Sequence, residues 1–257
     1  MRLSPRHPRY RSLVLRAKLA RALRDGLVVP EGLIAEGRGE AFDYFLGERT
    51  TPSARRAERT AARWLWAADR PVISVNGNVA AIAAPEVARL NRTFPRLGVE
   101  VNLFHRTPGR ARRVGEALRA AGVPSVLGIH PDARIPGLPS DRAKVDRRGI
   151  YCADVCLVPL EDGDRTEALR ARGQRVISID LNPLSRTSAA ANVPIVDDLR
   201  RALEHIDEDL ARIVRRGRTL PAPPFDAAGA LAAAIQEMDR RLTRAARDAR
   251  ARSRESP

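Results

Sequence analysis

Polar side chains crowd the sequence directly after an apolar segment. Residues 175–179 are mainly apolar and β-branched, and the loop that follows is rich in groups that can bind a ligand: Asp180, Asn182, Ser185, Arg186 and Thr187. Parallel α/β sheets bind their ligands at the carboxyl ends of the strands, where side chains are free to face a crevice. The pattern therefore predicts a binding loop here. Two further polar islands, residues 37–44 and 159–167, have the same character.

Similar groups follow each apolar segment that we interpret as a strand. If those strands are parallel, the groups share one edge of the sheet and converge on a single crevice. They would supply cations for phosphates, carboxylates for hydroxyls or Mg²⁺, and small residues that let backbone amides approach a ligand. This placement predicts a nucleotide site built from Asn76, Gly77, Asn78, His105, Arg106, Thr107, His130, residues 161–165, residues 180–187, Asp197 and Asp198.

Each of these motifs also has a purely structural interpretation. The Asn76-Gly77-Asn78 sequence suits a tight turn, because Asn and Gly both tolerate positive φ. Asp164 with Glu167 fits a capping box at the start of a helix. The adjacent acids Asp197 and Asp198 suit the first turn of a helix. These alternatives stay open at the level of the sequence.

Two other motifs are weak when each is taken alone. Histidines such as His105 and His130 are more often structural or surface residues than catalysts. The Gly37-Arg38-Gly39 sequence matches neither the P-loop nor the glycine pattern of dinucleotide-binding folds. The prediction of a site therefore rests on the common placement of the motifs along the chain.

Strands and helices alternate through the middle of the chain, which predicts an α/β fold with a mostly parallel sheet flanked by helices. The predicted strands are residues 72–75, 99–104, 125–129, 155–158, 176–179 and 193–196. The predicted helices between them are residues 80–92, 108–121, 164–172 and 197–214.

Helical segments flank this core on both sides. On the N-terminal side, helices are predicted at residues 9–24 and 53–68, joined by the Gly-rich stretch EGLIAEGRGEAFDYFLGE. On the C-terminal side, an Ala- and Arg-rich helix with a frayed end is predicted at residues 227–250. We interpret residues 1–257 as one α/β domain, with an N-terminal helical segment (1–70), an α/β core (71–215) and a C-terminal helical tail (216–257).

The composition bears on the class of partner. The net charge of +15 could attract nucleic acid, but only Lys18 and Lys144 among 46 basic residues are lysines, which indicates a chain-wide bias rather than a selected patch. Aromatic residues make up 4% of the chain, too few for a platform that stacks unpaired bases. A nucleic-acid partner is therefore disfavoured, and the charge suits anionic small molecules.

Other features point to a cytoplasmic protein without a membrane segment. No apolar run is long enough to span a bilayer, and the N-terminal residues lack the apolar centre of a secretion signal. The two cysteines, Cys152 and Cys156, have no second Cys or His pair elsewhere, so we interpret them as small core residues rather than zinc ligands.

Five strings that occur together and in order make the chain resemble a known family, the archaeal phosphopantothenate synthetases. They are GLIAEGRGEAFDYFLGE, PVISVNGN, VEVNLFHRT, GIYCADVCLVPLEDGDRTEAL and VISIDLNPLSRTS, and the resemblance spans residues 6–202. It implies a Rossmann-like, homodimeric enzyme that uses ATP to condense 4-phosphopantoate with β-alanine. The products are 4'-phosphopantothenate, AMP and diphosphate, on the route to coenzyme A.

The resemblance also implies which positions contact ATP, and one position departs from the pattern. Glu36 stands where the family pattern GLIAHGRGEAFDY has histidine, so a role taken from the family does not transfer to it. The ATP-contacting positions carry over to Arg16, Arg38, Asp180, Leu181, Asn182, Arg186, Thr187, Asp198 and Leu199.

A mechanism through an acyl adenylate suits both lines of reasoning, because a carboxylate must be activated before an amine can attack it. Guanidinium groups match phosphate oxygens, so Arg16, Arg38 and Arg186 are predicted phosphate ligands, and Asp180 and Asn182 should contact ribose or adenine. Glu161, Asp162 and Asp164 are predicted to hold either Mg²⁺ or the β-alanine ammonium group, and the sequence leaves open which residues bind the metal. His105 or Glu40 is predicted to accept the amine proton. Asn76 and Asn78 are predicted to orient phosphopantoate.

Two rival functions belong to other classes. A noncatalytic RNA- or nucleotide-binding protein is suggested by the net charge and the basic C-terminal helix. An oxidoreductase that binds a dinucleotide in the same crevice is disfavoured by the missing glycine signature.

Overall fold

A parallel five-stranded sheet forms the centre of the molecule, as the alternating pattern predicts. The computed structural model describes residues 4, 6–7, 9–160, 162–217 and 221–255. The strands lie in the order β2-β1-β5-β6-β7, and neighbouring strands are parallel. The strands of the chain are β1 (Pro71–Val75), β2 (Gly98–Val101), β3 (Ala133–Arg134), β4 (Lys144–Val145), β5 (Val155–Pro159), β6 (Arg175–Ile179) and β7 (Val193–Ile195), of which β3 and β4 form a small antiparallel pair.

Helices cover this sheet. They are α1 (Tyr10–Arg24), α2 (Pro30–Leu46), α3 (Pro52–Ala67), α4 (Gly77–Thr93), α5 (Pro108–Ala120), α6 (Gly163–Ala171), α7 (Arg186–Ala190), α8 (Leu199–Arg216) and α9 (Ala227–Glu255). The helices expected in the core and in both flanking segments are confirmed, with small shifts at their ends. None of the helices in the described ranges is long and apolar enough to cross a bilayer.

Apolar cores lie on both faces of the sheet, which explains why its strands are almost continuously hydrophobic. Successive residues of a strand point to opposite faces. Accordingly, Val155 and Leu157 of β5 belong to the larger core, whereas Cys156 and Val158 belong to the smaller one. The buried thiol of Cys156 confirms its interpretation as a core residue, whereas Cys152 is only half-buried in a turn, so its interpretation as a core residue is wrong. Both cysteines are free.

The strand predicted at 125–129 is wrong. Of these residues only Leu127 makes a β-bridge, to Glu100 of β2. The pairing stops because Gly128 adopts a left-handed conformation (φ 74°), and a Cβ there would lie 2.4 Å from the carbonyl oxygen of Val101. The chain turns away from the sheet edge at this point.

The Gly-rich stretch that was expected only to join two helices is itself helix α2. Pro30 occupies the first turn, where its missing N–H costs no hydrogen bond, and Gly47 ends the helix with φ 86°. A glycine is required at position 32, because a Cβ there would lie 2.3 Å from the side-chain oxygen of Asn78. The glycines thus permit close packing of α2 rather than prevent the helix.

The C-terminal helix α9 packs against the part of the chain singled out as a binding loop. Ala234 and Met238 form a small buried cluster with Leu46 of α2, Leu181 and Val196. From residue 242 to residue 252 the helix is exposed. The first half of α9 therefore supports the loop after β6 from behind.

We expect Ala234→Asp to lower the free energy of unfolding by about 2–4 kcal/mol, because the carboxylate would enter this cluster without a partner. Urea denaturation measures the change. Ala245→Asp on the exposed half of α9 is the matched control and should change stability by less than about 0.5 kcal/mol. Equal effects of the two substitutions would contradict the packing of α9 described above.

Candidate active site

The polar groups that follow the parallel strands share one cavity of about 680 Å³ at the carboxyl edge of the sheet. It lies over the ends of β1 and β5, where the strand order reverses direction, which is the usual ligand site of open α/β sheets. The predicted site residues that line it are Arg38, Asn76, Asn78, His105, Asp162, Asp180, Leu181, Asn182, Arg186, Thr187, Asp198 and Leu199. The prediction that the groups share one crevice is confirmed for these residues and is wrong for Arg106, Thr107 and His130, which do not line it. Arg106 instead donates to the carbonyls of Gly128 and Ile129, and Thr107 caps α5.

Three further predicted site residues that the structure describes, Arg16, Glu40 and Asp164, do not line the cavity. Arg16 of α1 donates to Glu40 of α2 at 2.8 Å, and Glu40 also accepts from Tyr44 at 2.9 Å and from Ser12. This network faces α1, so the predicted phosphate contact of Arg16 and proton transfer to Glu40 have no support from the geometry. Although burial raises the pKa of Glu40, bonds from Ser12 and Arg16 lower it overall.

The three acids predicted to hold Mg²⁺ or an ammonium group follow β5 in the sequence. Asp164, in the first turn of α6, is largely exposed and forms an ion pair with Arg186 at 2.6 Å, outside the cavity lining. Glu161 lies outside the described residues. Of the two acids that the structure describes, Asp162 lines the cavity and Asp164 does not.

The loop after β6 is held in shape by its own side chains. Asp180 accepts from the backbone N–H of Asn182, and Asn182 accepts from that of Leu184, both at 2.9 Å. Burial raises the pKa of Asp180, although its bond with Ser185 opposes the shift. Ser185 caps α7 by accepting from the N–H of Ser188 at 3.0 Å. The loop is thus preformed for binding.

Arg186 begins α7 and crosses the start of α6 at close range. A Cβ on Gly163 would lie 2.4 Å from Cβ of Arg186, so only glycine fits there. The guanidinium of Arg186 also reaches Glu167 at 3.2 Å. It is exposed at the mouth of the cavity, where a phosphate could replace the carboxylates.

Asn76 joins the ends of β1 and β5. Its side-chain oxygen accepts from the N–H of Val79 at 3.0 Å and caps α4, while Nδ2 donates to the carbonyl of Leu160 at 2.8 Å. Leu160 has φ 50°, a conformation that non-glycine residues seldom adopt. Since these bonds occupy the amide of Asn76, its main visible role is to shape the cavity floor. The predicted contact with phosphopantoate stays a prediction.

The structural alternatives are also correct for several of these residues. Asp162, rather than Asp164, caps α6 by accepting from the N–H of Arg165 at 2.9 Å. Asp198 caps α8 through bonds from the N–H groups of Arg200 and Arg201, at 3.0 and 3.1 Å. Burial raises the pKa of Asp198. These acids therefore serve as caps while they line the cavity.

Two guanidinium groups in the cavity were missed by the sequence analysis. Arg110 donates to the carbonyls of Leu27 and His105 at 2.9 and 2.7 Å, and its charge lies close to that of Arg142. Arg142 lies 3.3 Å from Asp162, and burial lowers its pKa to about 10. Arg110 could have been found, because it falls in the first turn of a predicted helix that follows a predicted strand. Arg142 lies in a segment without a recognisable pattern.

Helix α2 forms one wall of the cavity and is tied to the sheet edge by Arg201 of α8. The guanidinium donates to both carboxylate oxygens of Asp43, at 3.1 and 2.5 Å, and to Asp197 at 2.7 Å. Asp197 in turn accepts from Thr50 at 2.5 Å. This link holds Glu36 and Arg38, which lie on the same helix, over the strand ends.

Two buried acids, Glu58 and Asp197, lie next to each other beside the ionic link made by Arg201. Glu58 of α3 is fully buried and lies 2.8 Å from Nδ1 of His205, and ligand atoms of Glu58, Asp197 and His205 all lie within 4.8 Å of one another. Burial, together with the neighbouring Asp197, raises the pKa of Glu58 to about 10. A protonated Glu58 can donate to Asp197, and Arg201 already neutralises that aspartate. We therefore interpret the cluster as structural rather than as a metal site.

This pair should make stability depend on pH. A carboxyl group whose pKa is higher in the folded than in the unfolded chain favours folding at low pH, and that contribution is lost as the pH rises. We expect Glu58→Gln, which keeps a donor, to raise the melting temperature relative to wild type, with a difference that grows between about pH 5 and about pH 9. Parallel melting curves of the two proteins across pH would contradict the assignment. Glu116→Gln, at an exposed position of α5, is the control.

Comparison with known proteins agrees with the geometry. The family model of phosphopantothenate/pantothenate synthetase matches residues 53–241. The chain is 55% identical over 197 residues to a protein of Methanosarcina mazei named 4-phosphopantoate–β-alanine ligase, covering 77% of each chain. A protein of the same name from Thermococcus onnurineus is 51% identical over 207 residues, which are 80% of this chain and 78% of the relative. The chain therefore belongs to the phosphopantothenate/pantothenate synthetase family.

Proposed function

We propose that this protein is a 4-phosphopantoate–β-alanine ligase that uses ATP as co-substrate and acts in coenzyme A biosynthesis. The observation that carries the proposal is the single cavity in which the loop 180–187, Arg38 of α2 and the buried Arg110 and Arg142 meet. Its volume of about 680 Å³ lies in the range of small-molecule sites. The relatives with the same name support the same activity.

The reaction requires activation of a carboxylate, because its oxygen is a poor leaving group at neutral pH. The phosphopantoate carboxylate attacks the α-phosphorus of ATP and expels diphosphate, which produces an acyl adenylate. The β-alanine amine then attacks the acyl carbon and expels AMP. The protein mainly positions the reactants and balances charge, and positioning can contribute on the order of 7 kcal/mol to lowering the barrier.

The cations divide into two groups within the cavity. Arg38 and Arg186 lie with the loop after β6, and we assign them to the phosphates of ATP. Asp180 and Asn182, in the same loop, contact the ribose or the adenine. Arg110 lies beside the N-terminus of α4, whose positive end also favours an anion, and Arg142 lies close to Arg110. We assign both to the phosphate of the acid substrate.

Mg²⁺ is part of the proposal as a companion of the ATP phosphates. Carboxylate oxygens are its preferred protein ligands, and Asp162, one of the acids predicted for it, lines the cavity. This acid fits the ion, which would offset the negative charge that accumulates on the phosphates. His105 also lines the cavity, so its proposed contact with the amine agrees with its position.

Assembly, domain organisation and location complete the proposal. A homodimer is supported by exposed apolar side chains at Ile34, Tyr44, Phe45 and Leu184. A single domain is supported by the packing of α9 against α2 and the loop after β6. A cytoplasmic location is supported by the two free thiols.

The noncatalytic RNA-binding alternative is not favoured, because the relatives are named as ligases.

Arg186→Ala tests the proposed site. We expect the turnover of 4-phosphopantoate, β-alanine and ATP to fall by about 100-fold or more, with an unchanged melting temperature, because an exposed phosphate ligand is lost. Phosphopantothenate and AMP are measured together by mass spectrometry. Arg215→Ala on the exposed end of α8 is the control. Undiminished turnover in Arg186→Ala would exclude that residue from the phosphate site, and absence of both products with the wild type would exclude the ligase activity.

A further inference from the structure

Glu36 differs from the other acids that line the inner cavity. Glu31 also lines the cavity but is exposed, whereas the four aspartates have partners for their carboxylates. Asp162 pairs with Arg142, Asp197 pairs with Arg201, Asp198 caps α8, and Asp180 accepts from the loop that it begins. Glu36 is less constrained than these aspartates: it caps no helix, its one hydrogen bond comes from the neutral side chain of Asn78, and among the residues that the structure describes no lysine or arginine forms an ion pair with it.

The neighbours of Glu36 make its surroundings negative. Glu36 is half-buried in the wall formed by α2, and its carboxylate accepts from the side chain of Asn78 on α4. The charged groups that face it are the carboxylates of Asp198, at the start of α8, and of Glu40, on its own helix. Arg201 acts on Asp198, whereas no lysine or arginine is among the groups that act on Glu36. A cation that entered the cavity would therefore meet the carboxylate of Glu36 without a competing guanidinium.

We propose that Glu36 binds the ammonium group of β-alanine, and that Glu36 accepts the proton which this group must lose before it attacks. The inference rests on the proposed function, since the ligase needs a site for an amine beside its activated acid. It names a residue for the second half of the reaction, whereas the loop after β6 serves the first half.

Amide formation begins with the transfer of a proton. One N–H proton of the ammonium group passes to the carboxylate of Glu36, which leaves a lone pair on nitrogen. That pair forms the C–N bond to the acyl carbon, and the bond between this carbon and the AMP oxygen breaks, so that AMP departs with the electrons. The nitrogen then releases a second proton to solvent, and Glu36 later does the same.

The basicity of Glu36 suits this role. Burial, with a smaller effect from Asp198, raises its pKa to about 7, while the bond from Asn78 opposes the shift. A general base works best when its pKa lies near the working pH. The rate of amide formation should therefore rise as the pH increases through about 7, when Glu36 loses its proton.

Glu36→Gln separates the two half-reactions. Exchange of labelled diphosphate into ATP with phosphopantoate, but without β-alanine, reports only adenylate formation. We expect this exchange to stay within about twofold of wild type, while amide formation falls by about 100-fold and the KM for β-alanine rises. Glu36→Asp should restore part of the lost rate because it keeps the carboxylate, and Glu116→Gln should match wild type.

Other outcomes would overturn the inference. Parallel loss of exchange and amide formation, with a higher KM for ATP, would place Glu36 at the nucleotide instead. Unchanged amide formation would exclude it from both steps. The pH dependence of the wild-type enzyme needs no variant, and a flat profile for amide formation across about pH 6–8 would also contradict the proton transfer. Absence of exchange and product in the wild type would instead reject the proposed function.

Discussion

The cavity depends on one ionic link, because α2 must stay across the carboxyl edge of the sheet to form its wall. Arg201 provides this link by binding Asp43 of α2 and Asp197 at the end of β7 with a single guanidinium. Both acids are largely buried, and removal of the cation would leave two carboxylates facing each other out of water, which is strongly unfavourable. Since α2 contains several glycines and has little intrinsic helix stability, its position is set by this tertiary contact and by α9.

The general layout could be predicted from the sequence, because strand and helix patterns alternate and parallel strands bring their carboxyl ends to one edge. For this reason Arg38, Asn76, Asp162 and Arg186 were expected together, and they line one cavity. The prediction did not depend on exact strand boundaries. It needed only the order of polar residues after apolar segments.

The remaining features depend on contacts that no local pattern reveals. Helix α2 was missed because glycines suggest a loop, whereas Gly32 is needed for the close approach of Asn78. Arg142 was missed because its segment is irregular, and it is positioned by a bond of its guanidinium to the carbonyl of Asn102 at 2.8 Å. Arg16 was expected in the site from the family resemblance and Glu40 from its residue type, but the two form an ion pair with each other between α1 and α2.

The structural and functional interpretations of the polar motifs turn out to be complementary. In a parallel sheet every crossover helix begins at the edge where the preceding strand ends, so its N-cap residue necessarily lies beside the crevice. Asn76, Asp162 and Asp198 cap α4, α6 and α8 in this way, and all three line the cavity. The same geometry directs the positive ends of these helices toward the cavity, which favours phosphates. A capping role is therefore no argument against a binding role here. What distinguishes Glu36 is that, among the residues that the structure describes, it caps no helix and pairs with no cation, which is why we assign its carboxylate to a substrate.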